Sequence, residues 1–167
     1  EPEPERLKDA LDLYDAEIRY VDHHLGLLLE RLREKGGLTD DDYLILTSDH
    51  GEEFHEHGQW LHGRSLFEEV LHVPLLITGP NVDAQKVSLP VELIDVLPTL
   101  AKWLKIPLAA NQVQGKDLSP LLQSDQAALD SFIFAERPSA GRHLYSVRSR
   151  DRKLIRLVHE GEDSWLL

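Results

Sequence analysis

The sequence predicts an α/β fold followed by a small antiparallel β subdomain. The chain opens with one long amphipathic helix. Two short apolar runs then have the length and composition of strands in a sheet, and the end of the chain changes to short β-type segments between turn residues. The change in pattern predicts an α/β part at residues 1–125 and a β-rich part at residues 126–167.

The first predicted element is a helix that runs from about Pro4 to Lys35. Its apolar residues recur at steps of three and four, which places them on one stripe of a helix. Gly36 and Gly37 follow, and glycine just past a helix C-terminus commonly ends the helix. The stripe consists of Leu7, Leu11, Tyr14, Ile18, Val21, Leu25, Leu28 and Leu32.

Two strands are predicted next, with helices beside them. The run from Tyr43 to Thr47 is almost continuously apolar, which is typical of a strand buried on both faces of a sheet. Residues Val73 to Thr78 form a second apolar run that stops at Gly79-Pro80. Short helices are expected from Ser65 to Leu71 and from Val91 to Leu104.

The β-rich end of the chain contains four short segments with turn residues between them. Alternating apolar residues and intervening turns predict hairpins in a small antiparallel sheet. The segments are Phe132 to Glu136, Leu144 to Arg148, Leu154 to Val158, and Trp165 onward.

Composition excludes several classes of site. The 167 residues include 30 acidic and 18 basic residues and carry a formal net charge of −12, which argues against a general nucleic-acid binder. There are no cysteines, so disulfides, thiolate metal sites and a cysteine nucleophile are excluded within this chain. No apolar run approaches the roughly 20 residues that a membrane-spanning helix needs.

The densest cluster of charge, TSDHGEEFHEHG at residues 47–58, comes directly after the first predicted strand. In α/β folds, ligands bind beyond the carboxyl ends of the strands. Asp49 and His50 are both suitable ligands for a divalent cation, and Gly51 lets the backbone turn so that both can face one region. The alternative is a polar loop that glycine terminates, and the residue types alone leave both interpretations open.

The remaining histidines give weaker indications. His55 and His57 are too close, and His57 and His62 too far apart, for the His-Glu-x-x-His metal motif. We therefore expect Glu52 to His57 to be mostly loop, with exposed histidines, and His72 to be a packed or capping residue. The chain contains no Gly-x-Ser-x-Gly nucleophile elbow and no glycine-rich phosphate loop.

Four motifs, in order, resemble the sulfatase family of the alkaline phosphatase superfamily. The first is a helix with Tyr14-Asp-Ala-Glu-Ile-Arg-Tyr-Val-Asp22. The second is Asp-His-Gly-Glu at residues 49–52, followed by HGRSLFEEVLHVPLLITGP at residues 62–80. The third is VELIDVLPTL at residues 91–100, and the fourth is QGKDLSPLL at residues 114–122. The similarity covers roughly residues 10–122 and, more loosely, the remainder.

The resemblance implies a fold, an activity and a set of site residues. The implied fold is part of an alkaline-phosphatase-like sheet with flanking helices, and the implied reaction is hydrolysis of a small-molecule or glycan sulfate ester. Asp49 and His50 match the family's aspartate and its neighbour that bind a divalent metal ion, which is expected to be calcium, with manganese and zinc as alternatives. His62 and Arg64 lie beside Gly63, which holds the usual place of a sulfate-contacting lysine, and either could stabilise charge on the ester.

The resemblance also implies parts that this chain lacks. Family members carry two further acidic metal ligands near their N-terminus and a nucleophile within Cys/Ser-x-Pro-x-Arg. The nearest counterpart, Ser88-Leu-Pro90-Val-Glu92, has glutamate in place of arginine and follows the metal strand. We therefore expect the chain to be the C-terminal portion of a longer enzyme, inactive alone, whose partner is the missing N-terminal part of the same domain. An exposed sheet edge and apolar patches are expected to make it associate.

Two alternatives remain open at this point. A phosphate- or phosphonate-ester hydrolase on the same fold is favoured slightly by Asp-His in place of Asp-Asn and by His62 in place of lysine. A non-catalytic domain that keeps the fold for binding or for structural purposes is the other alternative.

Overall fold

The computed structural model describes residues 2–109, 111, 113–122, 132–139, 141–159 and 162–166. The chain divides into two compact units, Glu1–Asn81 and Val82–Leu167. The boundary predicted after residue 125 lies outside the described residues and stays a prediction.

The first unit begins with helix α1, Pro4–Glu34. Proline suits the first turn because its missing N–H would have no partner there. Gly36 takes a positive φ of 68°, and the Gly37 N–H donates to the Leu32 carbonyl over 2.8 Å, which ends the helix as predicted. The predicted apolar stripe is present, but no residue of α1 is buried, and Val21 is 60% exposed.

Strands β1, Leu44–Thr47, and β4, Leu75–Thr78, form a two-stranded antiparallel sheet. In this sheet Leu44 lies opposite Thr78, and Thr47 lies opposite Leu75. The expectation that the first strand is buried on both faces is wrong for the described residues, since Leu46 is 41% exposed. Within those residues β1 has β4 as its only neighbouring strand, so one edge and much of its surface face solvent.

A small hairpin and a short helix lie between these strands in sequence. The hairpin pairs β2, Glu53–Phe54, with β3, Trp60–Leu61, and helix α2 spans Glu68–Leu71. The Phe54 ring packs edge-on against Tyr14 of α1, with ring centroids 5.0 Å apart. Helix α2 begins later than predicted, and the backbone N–H of His72 caps its end by donating to the Glu68 carbonyl over 2.8 Å.

The second unit contains a 3-10 turn at Leu93–Asp95, helix α3 at Val96–Trp103 and helix α4 at Ser119–Leu122. Asp95 is buried and joins these parts, because its carboxylate accepts from the backbone N–H of Glu92 over 2.9 Å and of Lys116 over 2.7 Å. Thr99 is buried and adds a second link by accepting from the Leu118 N–H over 2.9 Å.

Four strands form an antiparallel meander at the end of the chain. Their order in the sheet follows the sequence, which confirms the predicted hairpins. On one face, Leu144, Ser146 and Ile155 are buried. The strands are β5 at Ile133–Arg137, β6 at Arg142–Arg148, β7 at Lys153–His159 and β8 at Glu162–Leu166.

The opposite face of this sheet carries a cation between two aromatic rings. The guanidinium carbon of Arg156 lies 5.9 Å from the Tyr145 ring centre and 5.4 Å from the Trp165 ring centre. Arg156 also donates to Asp163, with 2.8 Å between Nη2 and Oδ2. These contacts link three neighbouring strands across their exposed face. Separately, no helix in the described part of the chain is long and apolar enough to cross a membrane.

Candidate active site

The loop that follows β1 turns Asp49 and His50 toward the same region. The Ser48 hydroxyl donates to the His50 carbonyl over 2.8 Å, and the His50 N–H donates to Asp49 Oδ1 over 3.1 Å. The Nε2 atom of His50 lies 3.9 Å from Asp49 Oδ1. The backbone has therefore left the extended conformation in which neighbouring side chains point to opposite faces.

Ring orientation at His50 is set by a backbone acceptor. Its Nδ1 lies 2.8 Å from the Gly51 carbonyl oxygen. A carbonyl oxygen can only accept, so Nδ1 carries the proton and the lone pair of the neutral ring is on Nε2. This arrangement is the one by which proteins orient histidines that ligate a metal.

Gly51 holds the loop against α2. Its N–H donates to the Val70 carbonyl over 2.8 Å. A Cβ atom at position 51 would stand 2.0 Å from the Glu69 carbonyl oxygen, so only glycine fits this contact. The requirement for glycine here is therefore close approach, and not the turn that the sequence predicted, because Gly51 does not take a positive φ.

His62 stacks on His50. The ring centroids are 3.8 Å apart and the ring planes differ by 26°. The Nδ1 atom of His62 lies 3.1 Å from Glu52 Oε1, so this ring also has a fixed orientation, with Nε2 directed away from the carboxylate. The β2–β3 hairpin brings Glu52 and His62 together, since they directly precede and follow its strands.

The hairpin also carries a buried carboxylate. Glu53 is only 1% exposed, and its Oε2 accepts from the Ser65 hydroxyl over 2.6 Å. Its Oε1 has no hydrogen-bond partner among the described residues. The Glu53–Ser65 hydrogen bond joins the hairpin to the segment that leads into α2, which limits how far the Glu52–His62 pair can move.

The expectation that Glu52 to His57 are mostly loop is confirmed, but the expectation of exposed histidines is wrong for His55, which is half-buried. Glu53 and Phe54 form β2, and His55 stacks on Trp60 with ring centroids 5.8 Å apart. His57, although exposed, stacks on Phe67 with centroids 3.7 Å apart, and its Nε2 lies 3.4 Å from Glu69 Oε1. Both rings therefore help to hold the loop.

Arg64 is exposed in the bend after His62, at Gly63, whose φ is 77°. No hydrogen bond or ion pair joins Arg64 to Asp49, His50 or His62, and each of these residues lies in the described part of the chain. The structure thus brings three of the four predicted site residues together and leaves the fourth on the surface beside them.

The donors at the end of β1 suit a divalent cation but do not complete a site for one. Asp49 is 88% exposed at its side chain, and together with His50 Nε2 it offers one oxygen ligand and one nitrogen ligand. No group of three or more acidic or histidine side chains in the described segments could hold a metal ion. The residues therefore fit two positions of a coordination sphere that needs about six.

Comparison with known proteins identifies the family. The family model described as Sulfatase matches residues 1–106. The chain belongs to the sulfatase family. The resemblance seen in the four sequence motifs is thereby confirmed.

Sulfatases among the curated relatives are much longer than the matched region. Arylsulfatase K of Danio rerio is 37% identical over 119 residues, which are 71% of this chain and 22% of that protein. The N-acetylglucosamine-6-O-sulfatase of Bacteroides thetaiotaomicron is 30% identical over 163 residues, 91% of this chain and 28% of that protein. The chain thus spans roughly a quarter, or less, of the length of these relatives.

Solved sulfatase structures share the fold. A 2-O GAG sulfatase superposes with a TM-score of 0.62 at 21% identity, covering 74% of this chain and 28% of the other. The complex of Ps i-CgsB with k-i-k-neocarrahexaose superposes with a TM-score of 0.63 at 22% identity, covering 87% and 33%. At such low identity these likenesses establish the fold alone, and they confirm the predicted alkaline-phosphatase-like α/β class.

Sequence reasoning missed the contact of Glu52 with His62. Glutamate in an acidic loop gives no indication of a partner, and the Glu52–His62 pair depends on a hairpin whose strands are two residues each. One indication was available, since Glu52 and His62 flank the apolar residues Phe54 and Trp60, which could have indicated a hairpin.

Proposed function

We propose that the protein takes part in metal-dependent hydrolysis of sulfate esters and that these residues supply part of the active site. Membership of the sulfatase family supports the reaction class. The observation that carries the assignment to this loop is the grouping of Asp49, His50 and His62 beyond the end of β1. Glycan sulfates are the proposed substrates, in line with a relative that is an N-acetylglucosamine-6-O-sulfatase.

Asp49 and His50 are the proposed metal ligands. Asp49 and His50 would hold a divalent cation there, and such a cation would supply Lewis-acid chemistry toward a substrate oxygen and a hydroxyl nucleophile. The ring of His50 is kept ready for this role by the bond between Nδ1 and the Gly51 carbonyl, which leaves Nε2 free to ligate. Calcium is the proposed ion, with manganese and zinc as the alternatives.

His62 is the proposed contact for the ester group. Its Nδ1 is engaged by Glu52, so its Nε2 points away from that carboxylate, where it accepts in the neutral ring and donates in the imidazolium form. Arg64, two residues along and exposed, has the forked guanidinium that binds sulfate oxygens in pairs, and it would need to turn toward the substrate. Both residues would stabilise charge that develops on the ester and on the leaving oxygen.

The nucleophile and the other metal ligands are proposed to come from outside these 167 residues. No Cys/Ser-x-Pro-x-Arg segment occurs in the sequence, and the two ligands in this chain fill a minority of a cation's coordination positions. We therefore expect no turnover from this chain alone.

Titration calorimetry with calcium, manganese and zinc tests the metal site without any assay of activity. The protein is expected to bind one of these ions weakly, and Asp49→Ala should lower the affinity at least about tenfold, as loss of even a supporting residue often does. Asp41→Ala, an exposed carboxylate in the turn before β1, is the matched control. Equal affinity in the Asp49→Ala variant and in the control would remove Asp49 as a ligand.

Activity is tested in the full-length parent protein with nitrophenyl sulfate and nitrophenyl phosphate. The proposal expects preference for sulfate, and loss of turnover when Asp49 is replaced by alanine. A strong preference for phosphate would instead support the phosphoester alternative, which His50 and His62 favour. A parent sequence that lacks Cys/Ser-x-Pro-x-Arg would leave the non-catalytic alternative standing.

A further inference from the structure

An open cleft of about 530 Å³ lies in the second unit, at the outer edge of β5. It is lined by the rings of Phe132, Phe134 and Tyr145, together with Ile94 and a few polar side chains. Its volume is within the range of about 300–1,000 Å³ that is typical of small-molecule sites. All of these residues belong to the second unit, whereas the loop around Asp49 belongs to the first.

Two of the aromatic rings are unusually exposed. Phe132 is 61% exposed and Phe134 is 67% exposed, although neither carries a polar group that water would solvate. Exposed aromatic residues collected in a concave region commonly mark a binding surface, because their burial by a ligand is favourable. The third ring, Tyr145, is held in place by stacking with His143, at 5.1 Å between ring centroids.

The charges that line the cleft do not suit an anion. The lining contains two carboxylates, those of Glu92 and Glu136, and one ammonium group, that of Lys116, so its formal charge is negative. A sulfate or phosphate group would be repelled there. Gln114 and Ser146 add uncharged groups that both donate and accept hydrogen bonds.

The edge of β5 is partly closed to an added peptide strand. The backbone N–H of Phe134 donates to Glu92 Oε1 over 2.7 Å, so this donor is not available to a partner strand. Glu92 is itself fixed, because it forms a capping box with Asp95 at the 3-10 turn. The cleft wall is thus preformed, and its hydrogen-bonding groups are mainly those of side chains.

We propose that this cleft binds an uncharged sugar ring of a glycan. A pyranose has one face of C–H groups, polarised by neighbouring oxygens, that packs on the negative face of an aromatic ring. Its hydroxyls match the mixed donors and acceptors of Gln114, Lys116 and Glu136. The inference rests on the proposed function in one respect, since it makes the substrate a glycan that also carries an unsulfated residue.

The test is ¹H–¹⁵N NMR titration of the protein with methyl β-galactoside, N-acetylglucosamine and N-acetylglucosamine 6-sulfate. We expect saturable shifts at the cleft residues with at least one uncharged sugar, and weaker binding there of the sulfated sugar. Phe134→Ala should weaken the binding about fivefold, the order expected from loss of one aromatic contact. Because Phe134 is exposed, the variant should keep the fold, which the same spectra report.

Tyr20→Ala is the matched control, since Tyr20 is a ring on α1 that is 62% exposed. Its affinity for the sugars should equal that of the unchanged protein. Absence of saturable shifts, equal binding by Phe134→Ala, or tighter binding of the sulfated sugar in the cleft would each overturn the proposal. None of these readouts uses a metal or turnover, so failure of the cleft is distinguishable from failure of the proposed hydrolysis.

Discussion

At the scale of single residues, the rings of His50 and His62 are oriented in the same way. Each ring uses Nδ1 to contact an oxygen that can only accept, the Gly51 carbonyl in one case and the Glu52 carboxylate in the other. The tautomer of a histidine is set by the hydrogen bond that one of its nitrogens makes. Both neutral rings should therefore carry their proton on Nδ1.

We predict that ¹⁵N shifts of the ring nitrogens, recorded at a pH where imidazole is neutral, report the Nδ1–H tautomer at His50 and His62. Replacing Glu52 with alanine should shift the tautomer of His62 and leave His50 unchanged, because His50 is held by backbone. Glu52→Gln is the control, since an amide oxygen can still accept the same bond. An Nε2–H tautomer at His62 in the unchanged protein would contradict the pairing seen in the structure.

The sequence predicted Asp49 and His50 as a pair because the strand before them fixes where they emerge. It could not predict the contact between His50 and His62, which are twelve positions apart in the sequence. The position of the His62 ring depends on the positive φ angles of its two neighbours, Leu61 and Gly63. Side chains joined across such a turn are set by backbone conformation that residue types only weakly determine.

At the scale of elements, Asp117 ties α3 to the start of α4. Its carboxylate accepts from Lys102 of α3 and from the hydroxyl and N–H of Ser119. Burial on its own would raise the pKa of Asp117, but the hydrogen bonds from Lys102 and Ser119 outweigh it and hold the pKa below the usual value of 3.8. The folded protein therefore favours the ionised carboxylate more than the unfolded chain does.

This lowered pKa predicts how stability depends on pH. The contribution of Asp117 is fully present above a pH of about 4 and is lost as the pH falls through the folded-state pKa. Asp117→Asn should lower the free energy of unfolding by about 1 kcal/mol at neutral pH, given that Lys102 is largely exposed. That corresponds to about 2–4 °C in Tm.

Thermal unfolding of Asp117→Asn and of the unchanged protein, compared at neutral pH and again near pH 3, checks this prediction. The difference in Tm should shrink as the pH falls below about 4 toward the lowered folded-state pKa of Asp117, because the advantage of the ionised carboxylate in the folded protein is then progressively lost. Asp41→Asn, in an exposed turn, serves as the control and should change Tm little at either pH. A difference that stays constant with pH would contradict the ion-pair explanation.

Long or regularly patterned elements were predictable, and short ones were not. The apolar stripe and the two glycines predicted both ends of α1 to within a residue. The alternation of apolar and polar residues predicted the four strands of the meander. The two-residue strands β2 and β3 have no periodicity to detect, and α2 holds four residues. For these, packing of Glu53 and Val70 decides the conformation, and packing is not visible in sequence.

At the scale of the whole molecule, the most consequential feature is the exposed apolar stripe of α1. Ile18, Val21 and Leu28 are each at least half exposed in the structure, and their stripe lies along one face of a helix that also exposes Leu13 and Tyr20 outside the stripe. An apolar stripe of this extent is unfavourable in water, and association would remove it from solvent.

We predict that the protein self-associates in a concentration-dependent way and that the double variant Ile18→Lys, Val21→Lys reduces this strongly. Glu17→Lys, which reverses a charge at a position of α1 that is not among the stripe residues and changes the net charge by as much as the double variant, is the control and should associate as the unchanged protein does. Sedimentation velocity over a hundredfold concentration range measures the outcome. A compact monomer at every concentration would contradict the prediction.

The same stripe explains where sequence reasoning about the whole molecule failed. Apolar runs such as Tyr43 to Thr47 predict burial, and the prediction holds only if the chain supplies the surfaces that cover them. Among the described residues β1 has one neighbouring strand, so Leu46 stays exposed. An apolar run indicates that a strand needs other surfaces to cover it, but it does not show which part of which chain supplies those surfaces.

The contact between Gly51 and Val70 has a consequence for how this loop can diversify. This hydrogen bond holds the two ends of the segment from residue 52 to residue 69 next to each other, so the segment forms a closed loop. Lengthening such a loop costs little, about 0.6 kcal/mol for each doubling. The length of the turn between β2 and β3 could therefore change while the contact between Gly51 and Val70 keeps Asp49 and His50 in place.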